Sequence, residues 1–506
     1  MMETSPVSEE SATEPSCQNM AAQCLAHPNN RVAIVDLTGG RRYVTYGDLA
    51  EMTDGIARIL MERVRPGDRV GVLFSQTPWC AAAHLAIWKI GSISVPLFKL
   101  FKHDALASRV QDADVRLVLT DAGGAQLLGD LAEPLLAHEI GTGGQPVPFA
   151  NVTAQTPAVL IYTSGTTGAA KGALHGHGIL AGHLLGVSLS HDELGAPDDR
   201  LWTPADWAWI GGLFDVLMPG LAFGVPVVAA RMPKFNVDDC LNIISEASVR
   251  NIFFPPTALR IMKAAGCCIK GLRSIASGGE PLGAEMLAWG RAAFGVTINE
   301  FYGQTECNMV VSSCAARFAP RPGFMGRPVP GFDVDVIDAH GRPTGQEGDI
   351  AVRRGAPSMM LEYWNRPRET AAKFRGDWML TGDRGRRDGP EIQFVGREDD
   401  VITSAGYRIG PAEIEDCLLT HASVATVGVV GKPDVTRNEI VKAYVVRKPG
   451  AEVTVKELQD FVKERLATYL YPREIDFLDA LPMTVTGKVI RKALKARAAK
   501  EIGETS

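Results

Sequence analysis

Before Gly396, short β-branched runs alternate with helix-length amphipathic stretches, and this alternation narrows the possible folds more than any other feature. Strand-like runs fall at 70–74, 92–96, 225–229 and 251–254, with helical stretches at 79–90 and 237–247 between them. Such a pattern predicts α/β layers with largely parallel sheets. A chain of 506 residues is too long for one core, so two or more domains are expected. Residues 146–157 read as a loop ahead of a strand at 158–162. Further on, 334–337 and 349–353 read as antiparallel strands around a turn at 338–345. The pattern then shortens into mixed elements at 424–430, 440–447 and a helix at 455–467, followed by a basic tail. The expected organisation is a disordered tail over 1–23, a large domain over 24–396, a boundary over 397–400 and a small α+β domain over 401–506.

The net charge of −6 gives no whole-chain reason to bind nucleic acid or an anionic membrane. Nine cysteines are scattered without a CxxC pair, as free thiols in a reducing compartment would be. His175 and His177 are the one close histidine pair and have no further ligand at matching spacing. Residues 1–23 are polar and acidic and lack the apolar core of a signal peptide. The longest apolar run, 217–230, is interrupted by Pro219, Gly220, Gly224 and Pro226 and is too short to span a bilayer. A cytoplasmic protein without a membrane partner is expected. Oligomeric state leaves no trace in the sequence.

Thr163, Ser164, Gly165, Thr166, Thr167, Gly168, Ala169, Ala170, Lys171 and Gly172 follow the strand that ends at Tyr162. Glycines let a backbone approach oxyanions, hydroxyls donate hydrogen bonds, and lysine adds a point charge. The composition suits a triphosphate, but the spacing does not fit the GxxxxGK[ST] loop. The stretch resembles the signature loop of the adenylate-forming superfamily, with alanine at 170 where proline is usual.

Further stretches carry that resemblance, in the superfamily's order. The segment Ser277, Gly278, Gly279, Glu280, Pro281 is similar to the one that packs on adenine. Glu300 to Glu306 includes Tyr302, Gly303, Gln304 and Thr305 and resembles the aromatic motif beside the nucleotide. The resemblance implies Tyr302 near adenine, Thr305 at the α-phosphate and Glu306 on Mg²⁺, a hard ion that prefers oxygen ligands. It also implies a β-barrel-like subdomain, a hinge over 397–400 that makes the C-terminal domain over 401–506 mobile, Asp383 on the ribose hydroxyls, Arg397 reaching the ribose, Asp399 as the domain pivot and Arg408 as a phosphate contact. Ala405, Gly406 and Tyr407 would border the pantetheine arm of coenzyme A. Lys488 would bridge the attacking carboxylate and the α-phosphate, with Lys171 and Thr305 completing the catalytic set. Many relatives have lysine where this chain has Thr403.

Local stretches around 404–411, 433–437, 471–473 and 485–488 look closest to the medium-chain acyl-CoA synthetase branch and the acetyl-CoA synthetase-like chains. The implied reaction is ATP-dependent: a short- or medium-chain, or aromatic, carboxylic acid becomes its acyl-CoA through an acyl-adenylate, releasing AMP and pyrophosphate. ATP, Mg²⁺ and coenzyme A are the implied cofactors. Arg437 and Lys463 are the expected CoA contacts, since Leu470 stands where that branch has a lysine. Acetyl-CoA synthetases have tryptophan at the position of Gly303, so the glycine is expected to open the acyl pocket, with Trp207 and Trp209 as walls. Phe253 and Phe254 read as core, and Arg491, Lys492, Lys495 and Arg497 as a solvated helix face. Asp206 stands in a region where peptide-synthetase adenylation domains use an aspartate to hold an amino group. The PxxxxGK context of Pro482, Gly487 and Lys488 resembles one silenced by a lysine acetyltransferase. The alternative reading is an adenylating enzyme that loads an acyl or aminoacyl group onto a carrier-protein thiol.

Overall fold

A computed structural model describes residues 19–501 apart from 102, 164–169, 233, 398, 399, 401, 405, 406, 435, 436, 467–469 and 485–487. The architecture is α/β, with a large N-terminal and a smaller C-terminal part. Two mainly parallel sheets dominate the first part. One has seven strands, running in order Glu362–Tyr363, Lys171–Gly176, Pro157–Thr163, Ile93–Pro96, Arg69–Leu73, Leu117–Thr120 and Glu133–Leu136. The other has nine, with Ile298–Gln304, Ser274–Gly278, Asn251–Phe253 and Leu201–Trp202 lying side by side in parallel.

The helix Pro78–Lys89 shows why these sheets pack together. Thr77 caps it by accepting from the Cys80 amide, and Pro78 occupies the first turn, where no intrahelical donor is lost. Residues from Cys80 to Lys89 are all buried, so the helix is apolar on every side and sits inside the core rather than on it. Its one buried charge, Lys89, lies 2.5 Å from Asp54, which removes the cost of an unpaired ammonium.

Strands Val334–Ile337, Gly348–Arg353, Trp378–Asp388, Phe374–Arg375 and Glu391–Arg397 form an antiparallel sheet that curls into a half-barrel. The expected pairing of its first two strands is present, from Val334 opposite Val352 to Ile337 opposite Asp349.

After residue 400 a second five-stranded sheet is built on the long hairpin Val424–Asp434 and Asn438–Arg447. Side chains alternate across it, as strand geometry requires. Val429, Ala443 and Val445 pack under helices Pro411–Leu419 and Val455–Arg465, whereas Val430 and Tyr444 pack under helix Arg491–Lys500. A capping box between Thr454 and Glu457 starts the second of these helices.

One expectation is corrected. Residues 20–23, assigned to the tail, belong to helix Met20–Cys24, where Met20, Ala21 and Cys24 are fully buried. The basic C-terminal stretch carries the expected helix, Arg491–Lys500, with Leu494 and Ala498 in the core. Eight described cysteines are free thiols. No helix among the described residues is long and apolar enough to cross a membrane.

Candidate active site

The carboxyl ends of three strands open into one cleft of about 2660 Å³. Ligand sites of open α/β sheets form at such ends, where successive loops diverge. Strand Pro157–Thr163 leads into residues 164–169, strand Ser274–Gly278 into Gly279, Glu280 and Pro281, and strand Ile298–Gln304 into Thr305 and Glu306. Thr163 and Lys171 face each other as the last antiparallel pair, with Thr163 Oγ1 donating to the Lys171 carbonyl at 3.3 Å. The two ends of the signature loop are therefore fixed side by side. Ser164, Gly165, Thr166, Thr167 and Gly168 lie outside the described residues.

Tyr302, Gly303, Gln304, Thr305, Glu306, Asp383, Arg397 and Lys488 all line this cleft, together with Gly279, Glu280 and Pro281. The Tyr302 hydroxyl donates to Asp383 Oδ2 at 2.5 Å, and Arg397 Nε stands 3.6 Å from Asp383 Oδ1. Burial, with the Asp383 charge beside it, pushes the Tyr302 phenol well above its ordinary range. Gln304 donates to the Thr381 carbonyl at 2.9 Å and accepts from Lys373 at 2.8 Å, which anchors the aromatic motif on the half-barrel. Gly279 adopts φ +94°, in the region that favours glycine, and its carbonyl accepts from Lys488 Nζ at 2.9 Å. The Lys488 side chain is open to the cleft, yet protein surrounds its ammonium. That crowding, aided by Arg397, lowers its pKa against the pull of Glu280 and Asp383. Glu280 is held in turn by Arg260 at 2.7 Å.

Glu306 presents one carboxylate, to which Tyr363 donates its hydroxyl. No cluster of three or more His, Cys, Asp or Glu side chains among the described residues could cage a metal. A single carboxylate beside a phosphate loop fits Mg²⁺, which takes its remaining ligands from phosphate oxygens and water. Tyr363 carried no signal in the sequence. It arrives on the short strand Glu362–Tyr363, which pairs with Lys171–Gly176 from far along the chain.

The acyl side departs from expectation at several residues. Trp209 lines the cleft edge-on to Phe98 at 5.5 Å and Phe101 at 6.4 Å. Trp207 points the other way and is 1% exposed within the core, so it forms no pocket wall. Phe253 and Phe254 are both buried as expected, and Phe253 also lines the cleft beside Phe301 at 5.3 Å. Gly303 does not act by leaving out a wall. A Cβ there would stand 1.6 Å from the Asn308 carbonyl oxygen, because a bulge between Tyr302 and Gly303 turns that position into the adjoining strand. Gly303→Trp is therefore expected to unfold this hairpin rather than shorten the preferred acid. Thermal denaturation should show a Tm loss of many degrees, and a native Tm would refute the clash. Asp206 lines the cleft, where burial raises its carboxyl pKa to about 6.

Arg437 and Lys463 do not border the cleft among the described residues. Lys463 lies 3.2 Å from Asp460 and over the Tyr471 ring, while Leu470 does reach the cleft. Asp399, Ala405, Gly406 and the side chains of Thr403, Tyr407 and Arg408 lie outside the described residues. Of the expected solvated face of the last helix, Lys492 and Arg497 are exposed, whereas Arg491 pairs with Glu415 and Lys495 stands 3.2 Å from Asp400.

Where the two parts meet, Glu300 is half-buried and accepts from the Leu282 amide at 3.0 Å. Burial, reinforced by Asp416 across the interface, pushes its carboxyl up to about 7. A raised acid binds a proton in the folded state that the unfolded chain has released. Its contribution to stability is thus complete below an ordinary glutamate pKa of about 4.3 and lost as pH rises through about 7. Glu300→Gln is expected to match the native Tm at pH 5 and exceed it at pH 8. A lower Tm at pH 8 would count against a strained buried carboxylate.

Residues 20–364 match the family described as AMP-binding enzyme, and residues 413–488 match the AMP-binding enzyme C-terminal domain. The chain belongs to the AMP-binding enzyme family. It is 31% identical to an acetyl-coenzyme A synthetase of Bacillus subtilis (strain 168), over 92% of this chain and 87% of that one. It is 32% identical to the mitochondrial acyl-coenzyme A synthetase ACSM4 of Rattus norvegicus, over 89% and 83%. Among solved structures, ATP-bound MatB from Rhodopseudomonas palustris superposes with a TM-score of 0.84 at 26% identity, covering 95% of this chain and 98% of that one.

Proposed function

We propose that this chain is an ATP-dependent acyl-CoA ligase. It activates a short- or medium-chain, or aromatic, carboxylic acid as its acyl-adenylate and transfers the acyl group to coenzyme A, releasing AMP and pyrophosphate. One observation carries the reading: Lys488, from beyond the C-terminal sheet, enters the cleft formed by Gly279, Glu280, Tyr302 and Asp383. A nucleotide site facing a lysine from a separate unit suits a reaction in which charge builds on an α-phosphate.

In the first step the acid's carboxylate attacks the α-phosphorus and pyrophosphate leaves. Lys171 and Thr305 line the phosphate side, and Asp383 with Arg397 holds the ribose. Glu306 is the residue that would hold Mg²⁺, which neutralises phosphate charge. Lys488 stabilises the negative charge of the transition state, so catalysis rests on positioning and electrostatics. In the second step the unit after the hinge turns about Asp399, the segment with Ala405, Gly406 and Tyr407 enters, and the CoA thiol displaces AMP. Arg437 and Lys463 contact CoA in that second arrangement, which accounts for their positions away from the cleft. Lys488 is also the point at which an acetyltransferase would silence the first step, since acetylation removes the charge. A cytoplasmic location accords with the free cysteines.

The test is AMP formation by purified protein with Mg·ATP and acids from acetate to decanoate plus benzoate, with and without CoA. AMP produced only with CoA is the expected result. Pyrophosphate exchange without CoA-dependent AMP would overturn the choice of acceptor.

A further inference from the structure

At the inner end of the cleft the helix Ile210–Gly212 widens into a π-helical turn, Leu213–Leu217, before continuing as Met218–Phe223. Such a turn inserts a residue and re-aims its neighbours, and it recurs at functional sites. Here it carries Asp215, whose side chain is 9% exposed. His183, from helix Gly178–Ser190, lies against Asp215 Oδ1 through Nδ1 at 3.1 Å and is 1% exposed. Both residues border the cleft. Asp215 Oδ2 has no hydrogen-bond partner among the described residues, and His183 Nε2 is buried without one.

The surroundings make this pair conspicuous. Phe253, Phe301 and Met309 line the same end of the cleft, and the Phe214 ring lies 5.4 Å from His183. Burial raises the Asp215 carboxyl above its ordinary range. A purely apolar acyl chain would drive water from Oδ2 and leave a carboxylate oxygen unpaired, which is unfavourable. Gly211 keeps the approach open: a Cβ there would stand 3.5 Å from Oδ2 and 3.0 Å from the Phe253 ring.

We propose that the acid carries a hydrogen-bond donor, a hydroxyl or amino group, at its far end, and that Asp215 Oδ2 accepts from it while His183 holds the carboxylate from behind. This rests on the acid-activating reading of the cleft. Asp215 is then the specificity-determining residue and His183 a positioning residue. A site built to pair a buried polar group discriminates strongly against an acid that lacks it.

The experiment compares matched acids by ATP–pyrophosphate exchange, which does not depend on the acyl acceptor: hexanoate with 6-hydroxyhexanoate, and benzoate with 3-hydroxybenzoate and 3-aminobenzoate. The native enzyme is expected to favour a donor-bearing acid at least ~10-fold in kcat/KM in one series or the other. Asp215→Leu should abolish that ratio. Asp215→Asn keeps the acceptor for His183 and turns a donor toward the cleft, so it should shift preference toward the matching oxo acid. Preference of the native enzyme for the unsubstituted acid in both series, or a ratio that survives both substitutions, would overturn the proposal. Exchange that shows the ratio without CoA-dependent AMP would leave it standing and refute only the choice of CoA as acceptor.

Discussion

Lys488→Ala is expected to lower ATP–pyrophosphate exchange by about 100- to 1,000-fold, the usual loss when one donor to a developing oxyanion is removed. Thioester formation from supplied acyl-adenylate should fall far less, because the α-phosphate chemistry is then already complete. The structure gives the reason for the size of the first effect. Lys488 Nζ hydrogen-bonds the Gly279 carbonyl within the cleft, among Glu280, Asp383 and Arg397. No other cation from beyond the hinge makes that hydrogen bond among the described residues. Parallel assays of exchange and thioester formation measure the difference, and equal loss in both would show that Lys488 serves the fold rather than the first step.

Asp383→Ala is expected to raise the KM for ATP by about 10- to 100-fold, with a smaller change in kcat. Hydrogen bonds to a charged group contribute ~1.5–3 kcal/mol each, and the ribose offers two hydroxyls. The same substitution strips the Tyr302 hydroxyl of its acceptor, so part of the loss would come from a displaced ring. Asp383→Asn separates the two causes, because its carbonyl oxygen can still accept from Tyr302 while the charge is gone. An asparagine variant as weak as the alanine variant would assign the effect to charge on the ribose. One close to native would assign it to the tyrosine.

The segments expected to meet the nucleotide stood out in the sequence because their residues are consecutive. Glycines and hydroxyls after a strand end are spelled out in consecutive letters. The acyl side was less legible because there the outcome depends on which way a side chain turns. Trp207 and Trp209 are two residues apart, yet the sharp turn between them, closed by the Trp209 amide on the Asp206 carbonyl, sends one inward and the other to the cleft. The direction of Gly303 depends on a bulge that no residue type announces. Asp215 was hidden within an apolar run, where a π-helical turn changes the periodicity that a sequence reading relies on. Pairings such as Lys495 with Asp400 and Tyr363 with Glu306 join distant segments and leave no local pattern.

Asp383 and Arg397 sit directly opposite each other on adjacent strands, as one rung of the half-barrel. The residue proposed to hold the ribose and the residue that begins the expected hinge therefore share a single rigid connection. Thermodynamic reciprocity follows from this. If turning the C-terminal part changes the affinity for ATP by some factor, then bound ATP must change the balance between the two orientations by the same factor. Nucleotide occupancy would thus act as an allosteric effector of the domain arrangement without any separate regulatory site. The rung would serve as the short lever through which departure of the spent nucleotide resets the enzyme for its next cycle.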